Sequence, residues 1–320
     1  MELLEKYVYT ISTLGSFSAA ALELFISQPA LSAAISRHEK KLGFKIFDRS
    51  VIPLKLTPEG KIYIEHLAEK EKSENLMRLR IKMLSDASYG AISVGAYSYS
   101  ATELLSIICG KFNEEYPNIK VRLDMGSIGG LENLREKMRI HALDVMLNYS
   151  YDVSECVGVP ILTENMIVAM HKDMIGASEI AHLAIPKEKI LSGEIEEKDY
   201  VEDLSVFENI NFFQYSSFSN TRQKMDRIFG SYKTVGYTVE NARQVNMHNK
   251  LMCQKIGAVM TTDFHITTND FNNSDILYFL PKSEHSQRTL YIITPKSTVV
   301  SPSVKSFLEL SLEVSSKYNK

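Results

Sequence analysis

The sequence predicts an α/β chain: an N-terminal all-α helix-turn-helix, a long linker helix, then two α/β subdomains. Three observations predict it. Residues 16–42, SFSAAALELFISQPALSAAISRHEKKL, read as two helices around a tight turn. Thr57-Pro58-Glu59 starts a helix that no Pro or Gly interrupts between Gly60 and about Ser85. From Ala91 onward, strand and helix patterns alternate. A chain of 320 residues with 44% hydrophobic content accommodates roughly two or three domains, each with its own core.

The first helix repeats Leu3, Leu4, Tyr7, Val8, Ile11 and Leu14 at three and four, and Gly15 ends it. In the next pair, Leu22 and Leu24 sit on the first helix and Ile26 fills the turn. Ser27 caps the second helix, where Pro29 loses no hydrogen bond because it lies in the first turn. Leu31, Ile35 and Leu42 form the buried stripe; Ser32, Ala33, Ser36, Arg37, Lys40 and Lys41 face outward. A polar, partly basic outer face behind a Ser/Gln start is the form of a DNA recognition helix. Short extended pieces follow at Lys45–Asp48 and Lys55–Thr57.

The helix from Pro58 carries a thin apolar seam of Ile62, Leu67, Leu76, Leu79 and Met83 among many charges, and a polar helix this long rarely stands alone. Residues 86–90 read as a hinge. Strands are expected at Ala91–Tyr97, Ile119–Met125 and Leu143–Asn148, with helices at Thr102–Glu115 and Gly129–His141 between them, which implies a parallel sheet. Val157–Leu162 and Asn165–His171 read as two strands leading into a second subdomain, and 175–204 is charged and irregular. Strand Asn209–Gln214, helix Asn220–Phe229, strand Thr234–Val239, helix Ala242–Lys255 and strand Gly257–Met260 repeat the pattern. Ile276–Leu280 and Thr289–Ile293 are late strands, and Pro302–Ser315 is a closing helix.

From Leu3 to Gly60 the chain resembles the winged helix-turn-helix of a LysR-type transcriptional regulator. The matching residues are Gly15-Ser16-Phe17-Ser18, Ala20-Ala21, Leu24, Ser27 to Ser32, Ile35, Glu39, Leu42-Gly43, Ile46-Phe47, Arg49 and Leu56 to Gly60. From Gly90 onward it is similar, in order and spacing, to the effector-binding domain of the same family, two subdomains that resemble a periplasmic binding protein. The resemblance implies a DNA-binding domain at 1–60, a linker and dimerisation helix at 58–87 and an effector-binding domain at 90–320. Within the last, subdomain I covers about 90–162 and 266–320, and subdomain II about 163–265.

For DNA, Gln28 and Ser32 are expected to read base edges, with Pro29 and Ala33 offering apolar contact. Ser27, Arg37, Lys40, Arg49, Lys55 and Thr57 are expected on phosphates. Three residues depart from the family. Ala33 and Ile52 stand where it often carries Arg, and His38 stands on the buried stripe where Leu is usual. For the effector, ligands of open α/β sheets sit beyond the carboxyl ends of strands. That selects Ser98, Ser100, Thr102, Ser127, Ile128, Asn148 and Tyr149, with Thr163 on the crossing strand and Ser216 and Phe218 from the second subdomain. Helix N-termini and hydroxyls slightly favour a carboxylate, although no Arg or Lys lies in these loops.

A net charge of −3 argues against coating nucleic acid by bulk charge. No signal-like start and no membrane-length apolar run occur, which suggests a soluble cytoplasmic protein. Cys109, Cys156 and Cys253 are widely spaced and read as free thiols; only Cys156 is expected in a loop. No Gly-x-Ser-x-Gly elbow, phosphate loop or His-Glu-x-x-His helix is present, so no catalytic residue, metal site or cofactor is expected. The resemblance implies double-stranded operator or promoter DNA, a small-molecule effector, a second copy of the chain and RNA polymerase as partners. The rival reading is a solute-binding or enzymatic α/β protein whose N-terminal helices serve assembly alone.

Overall fold

The computed structural model describes residues 3–51, 54–82, 90–126, 130–215, 219–238, 245–269, 274–296 and 300–319. The N-terminal module consists of α1 (Leu3–Leu14), α2 (Phe17–Glu23) and α3 (Gln28–Leu42), then the two-residue strands β1 (Phe47–Asp48) and β2 (Lys55–Leu56), which pair antiparallel. Both extended pieces are shorter than the sequence suggests. Val8, Ile11, Ala20, Ala21, Leu31, Ile35, Ile46 and Phe47 form its core, and Leu67 of α4 (Pro58–Lys82) closes it. Gly60 is required there: a Cβ would overlap the carbonyl oxygen of Ile46. Ser16 and Ser27 cap α2 and α3 as the sequence predicts for Ser27. Leu22 and Phe25 are left exposed, because the turn needs only Ile26 for its packing.

The second half of α4 lies along the effector-type region, where the Asn75 side-chain amide donates to the Ile140 carbonyl at 2.9 Å. That region begins with β3 (Gly90–Ala96), α5 (Tyr99–Glu115), β4 (Ile119–Asp124), α6 (Gly130–Arg139) and β5 (Val145–Asn148). Helix α5 starts at Tyr99, three residues earlier than expected, because Ser98 rather than a later residue takes the cap position. β3 pairs parallel with both β4 and β5. The sheet is nonetheless mixed. β6 (Cys156–His171) is one 16-residue strand, not the two the sequence reading divides at Thr163 and Glu164.

After β6 come α7 (Ala177–Ile180), α8 (Lys187–Ser192) and β7 (Tyr200–Val201), so the stretch 175–204 is short helices and an edge strand rather than irregular chain. β8 (Asn211–Gln214), α9 (Asn220–Phe229), β9 (Lys233–Thr238), α10 (Val245–Cys253) and β10 (Val259–Thr262) follow. Then come α11 (Asp263–Thr268), which the sequence reading omits, β11 (Ile276–Pro281), β12 (Gln287–Pro295) and α12 (Pro302–Ser316).

The strand order is β4-β3-β5-β12-β6-β11-β7, with β10 also on β6. β12 runs antiparallel to β6 from Cys156 to Asn165. Beyond that point β10 and β11 take its place on β6. The sequence reading puts residues 266–320 in the first subdomain. Instead β11 pairs with Val168–His171 and with β7, and its Phe279 and Tyr278 pack in the second subdomain's cores. In the first subdomain α5 and α12 meet through Phe112 and Phe307, edge to face at 5.1 Å. α6 covers the opposite face through Leu134 and Met138.

Candidate functional site

Two surfaces concentrate polar groups that the folding of their elements does not explain. The first is the outer face of α3. Gln28, Pro29, Ala33, Arg37 and Lys40 are exposed there, and Lys55 and Arg49 extend the face from the strands. The Ser27 hydroxyl accepts from the Ala30 amide at 3.3 Å, so it is a helix cap. Arg49 is held on three sides. It donates to Ser32 Oγ at 3.0 Å, approaches Glu39 at 3.4 Å, and lies 4.7 Å over the Phe17 ring. Glu39, which the sequence gives no role beyond its family match, is buried and accepts the Ile46 and Phe47 amides at 2.8 and 3.2 Å. One carboxylate therefore fixes the strand pair against α3. Thr57 caps α4 by accepting from Gly60, and its hydroxyl donates to the Lys45 carbonyl. His38 is half-buried and bonded to the Tyr63 hydroxyl at 2.9 Å, as its place on the stripe suggests.

The second surface is a cleft of about 540 Å³ between the two subdomains. Tyr97, Ser98 and Tyr99 enter from the end of β3, Asn148, Tyr149 and Ser150 from the end of β5, and Ser219, Asn220 and Thr221 from the start of α9. Gly130 sits at φ +54, and a Cβ there would press on the Tyr97 ring, so this wall accepts only glycine without rearrangement.

The sequence finds no cation for this cleft; the structure brings Arg135 of α6 to its rim and Arg288 of β12 to its base. Arg288 lies at its base with a side chain 8% exposed. Its Nε donates to Glu164 at 3.0 Å, and its other nitrogens reach Asn220 and Thr221 at 3.3 Å and Ser100 at 3.4 Å. The Tyr149 ring covers the guanidinium at 4.2 Å. Glu164 in turn accepts the Tyr149 hydroxyl at 2.6 Å and Thr262 at 2.8 Å. Burial pushes the Glu164 carboxyl up, but the Arg288 charge and the hydroxyl donors outweigh it and hold it below the usual carboxylate range. Arg288 bridges from the crossing strand to α9, so the pair joins the subdomains and is neutral as a unit.

The chain matches the family described as bacterial regulatory helix-turn-helix protein, lysR family, over residues 5–61, and the LysR substrate binding domain over residues 85–316. The chain belongs to the LysR family. Over 118 residues it is 32% identical to an uncharacterized HTH-type transcriptional regulator, YybE, of Bacillus subtilis, covering 37% of this chain and 40% of that one. Over 142 residues it is 26% identical to the SDS degradation transcriptional activation protein of a Pseudomonas species, covering 44% and 45%. The chain thus spans less than half the length of these curated relatives. Its fold is that of full-length OxyR from Pseudomonas aeruginosa, with a TM-score of 0.59 and 17% identity over 98% of this chain and 94% of that one.

With the LysR architecture in place, the predicted residues divide. Ser98, Ser100, Asn148 and Tyr149 gather at the cleft or against its base. Ser98 accepts from Ala101 as a cap, and Thr102 donates back to the Ser98 carbonyl, so neither hydroxyl is unengaged. Thr163 lies apart, lining a smaller hollow beyond Arg288 with Lys224 and Gln287. Ser127, Ile128, Ser216, Phe218 and Ile52 lie outside the described residues. Arg288 and Arg135 were not selected from the sequence. The one signal available for Glu164 is a carboxylate inside a strand of apolar residues, ILTENMIVAM. Cys156 is not in a loop: it is the buried first residue of β6, and burial with Asp152 and Glu155 nearby pushes its thiol up, away from reactivity. Among the described residues no single helix is long and apolar enough to cross a membrane, and no group of three or more potential metal ligands forms.

Proposed function

We propose that the chain is a cytoplasmic, non-enzymatic DNA-binding transcriptional regulator, switched by a small molecule in the cleft between its α/β subdomains. The observation that carries the reading is the joining, in one LysR-family chain, of an exposed polar α3 face to a cleft of about 540 Å³ walled by polar groups and tyrosines. Gln28 is the base reader, suited to adenine in the major groove. Arg37, Lys40, Arg49 and Lys55 are phosphate contacts, with Ser32 holding Arg49 in place. A second copy joins along α4, where Ile62, Met77 and Ile81 are exposed. RNA polymerase at the promoter is the further partner the family implies. The ligand is a small polar molecule bearing an oxyanion, drawn by the N-termini of α5 and α9 and by Arg135 at the rim. Arg288 contributes less net charge than its position suggests, because Glu164 matches it.

The test is a titration of the duplex upstream of the protein's own coding sequence at several salt concentrations. Four cations in each of two copies make eight phosphate contacts, so the logarithm of the binding constant should fall with log salt at a slope of roughly −7. A slope near zero, or equal affinity for unrelated duplex, overturns the reading. Thermal shift against a panel of small carboxylates then tests the ligand class.

A further inference from the structure

Helix α6 carries Glu132, Arg135, Glu136 and Arg139 at i, i+3, i+4 and i+7, one continuous polar face opposite the buried Leu134 and Met138. The two ends of this face touch different parts of the molecule. At the first end Glu132 and Arg135 line the cleft, joined at 3.4 Å, and Arg135 reaches Ser150 Oγ at 3.2 Å. At the other end Glu136 is gripped by Arg139 through two bonds of 2.7 Å and accepts the hydroxyl of Tyr9 at 2.6 Å. Tyr9 lies on α1, 127 residues away in the N-terminal module. Two more contacts tie the same bodies together: Asn75 to the Ile140 carbonyl at 2.9 Å, and Lys72 to Glu155 at 3.8 Å. The helix that borders the cleft is therefore the one on which the DNA-binding module rests.

We propose that Tyr9 and Glu136 form an intrachain latch, through which α6 carries the state of the cleft to the helix-turn-helix module. The proposal rests on the regulator reading for the meaning of the two ends. A ligand moves such an equilibrium only through different affinity for the latched and unlatched states. Arg135 supplies that difference, because a bound oxyanion competes with Ser150 for its guanidinium. Ten residues of α6 form a rigid rod of about 15 Å, so a shift of its first turns reaches its last. The hydroxyl-to-carboxylate bond is short and charge-assisted, which makes it the strongest single tie in the contact.

The experiment is hydrogen exchange on the full chain, with Tyr9→Phe, Glu136→Gln, the double variant, and Arg135→Ala in both the wild-type and Tyr9→Phe backgrounds. Tyr9→Phe removes one oxygen and leaves the ring. It should raise exchange of the α1 amides on the order of tenfold, as loss of a hydrogen bond to a charged group would. Glu136→Gln should do the same, and the double variant should add little, because the two residues act as one unit. Arg135→Ala should raise α1 exchange by at least about twofold in wild type and leave it unchanged in Tyr9→Phe. Unchanged α1 exchange in Tyr9→Phe, or strictly additive single effects, shows that no latch exists. An equal Arg135→Ala effect in both backgrounds shows that α6 does not signal through it. None of these readouts needs DNA or ligand, so failure of the regulator reading appears separately, as absence of specific duplex binding.

Discussion

Replacing Arg288 by Met keeps most of the side-chain volume and removes the charge. Glu164 is then fully buried with the Ser100, Tyr149 and Thr262 hydroxyls as remaining donors and no cation. Removing one partner of a buried pair costs about 3–5 kcal/mol, most of it from the charge left behind. In a unit of this size each kcal/mol moves the melting temperature by about 2–4 °C, so a fall on the order of 10 °C is expected by calorimetry. Packing loss alone would also lower stability, and two controls separate the causes. Arg288→Met/Glu164→Gln removes the stranded charge and should recover about half of the loss or more. The pH dependence should also invert. In wild type the Glu164 carboxyl lies below its ordinary value, so its contribution is present above the unfolded pKa of about 4.3 and disappears as pH falls through the lower folded value. In Arg288→Met the folded value lies above the unfolded one. Acidification toward about pH 4.3 should then narrow the gap to wild type. A single-variant cost below about 1 kcal/mol, with no recovery in the double variant, refutes the assignment of this pair as the bolt between the subdomains.

Two further outcomes follow from buried groups. Burial pushes both His248 and His265 down to about 4, while the unfolded chain holds them near 6.5. Between those values the unfolded state binds protons the native state refuses, so each should remove about 2 kcal/mol between pH 7 and pH 5, read from urea midpoints. An unchanged pH 5 loss in His248→Phe/His265→Gln would contradict this. Glu39→Ala strands two amides in the N-terminal module and frees Arg49. It should cost the module about 2–3 kcal/mol and weaken binding to all duplexes alike, whereas loss of preference at one base pair alone would argue against a scaffolding role.

The local signals in this sequence proved strong wherever one residue acts on its own helix. Ser27 before Gln28-Pro29, Ser301 before Pro302 and Thr57 before Pro58 each mark a helix start through a cap that the adjacent residues disclose. Long-range pairing is what the sequence withholds. Thr163-Glu164-Asn165 looks like a break because it is polar, yet Glu164 is polar only because Arg288, 124 residues later, arrives beside it. The same separation hides the cation at the base of the cleft: Arg288 is one of several charges in an ordinary stretch until β12 lies against β6. Nothing local tells β11 which half of β6 to join. α11 escapes for another reason, since DFHITT is too short for a helical repeat to register and depends on the Thr262 cap.

The single long strand β6 also sets a timetable for synthesis. Its first half is complete once Asn165 is made, but the neighbour that satisfies both β5 and that half of β6 is β12, ending at Pro295. At about 5–20 residues per second, the ribosome needs on the order of ten seconds to deliver the missing strand. Throughout that interval Met146 to Asn148 and the apolar face of β6 present unpaired edges, a template for joining another nascent chain. The whole second subdomain is made within the gap, so it can collapse first and shelter the far half of β6. The near half has no such cover. Vulnerability to aggregation during production should therefore sit at the β5–β6 edge, and a chaperone that binds extended apolar segments would find its longest-lived target there.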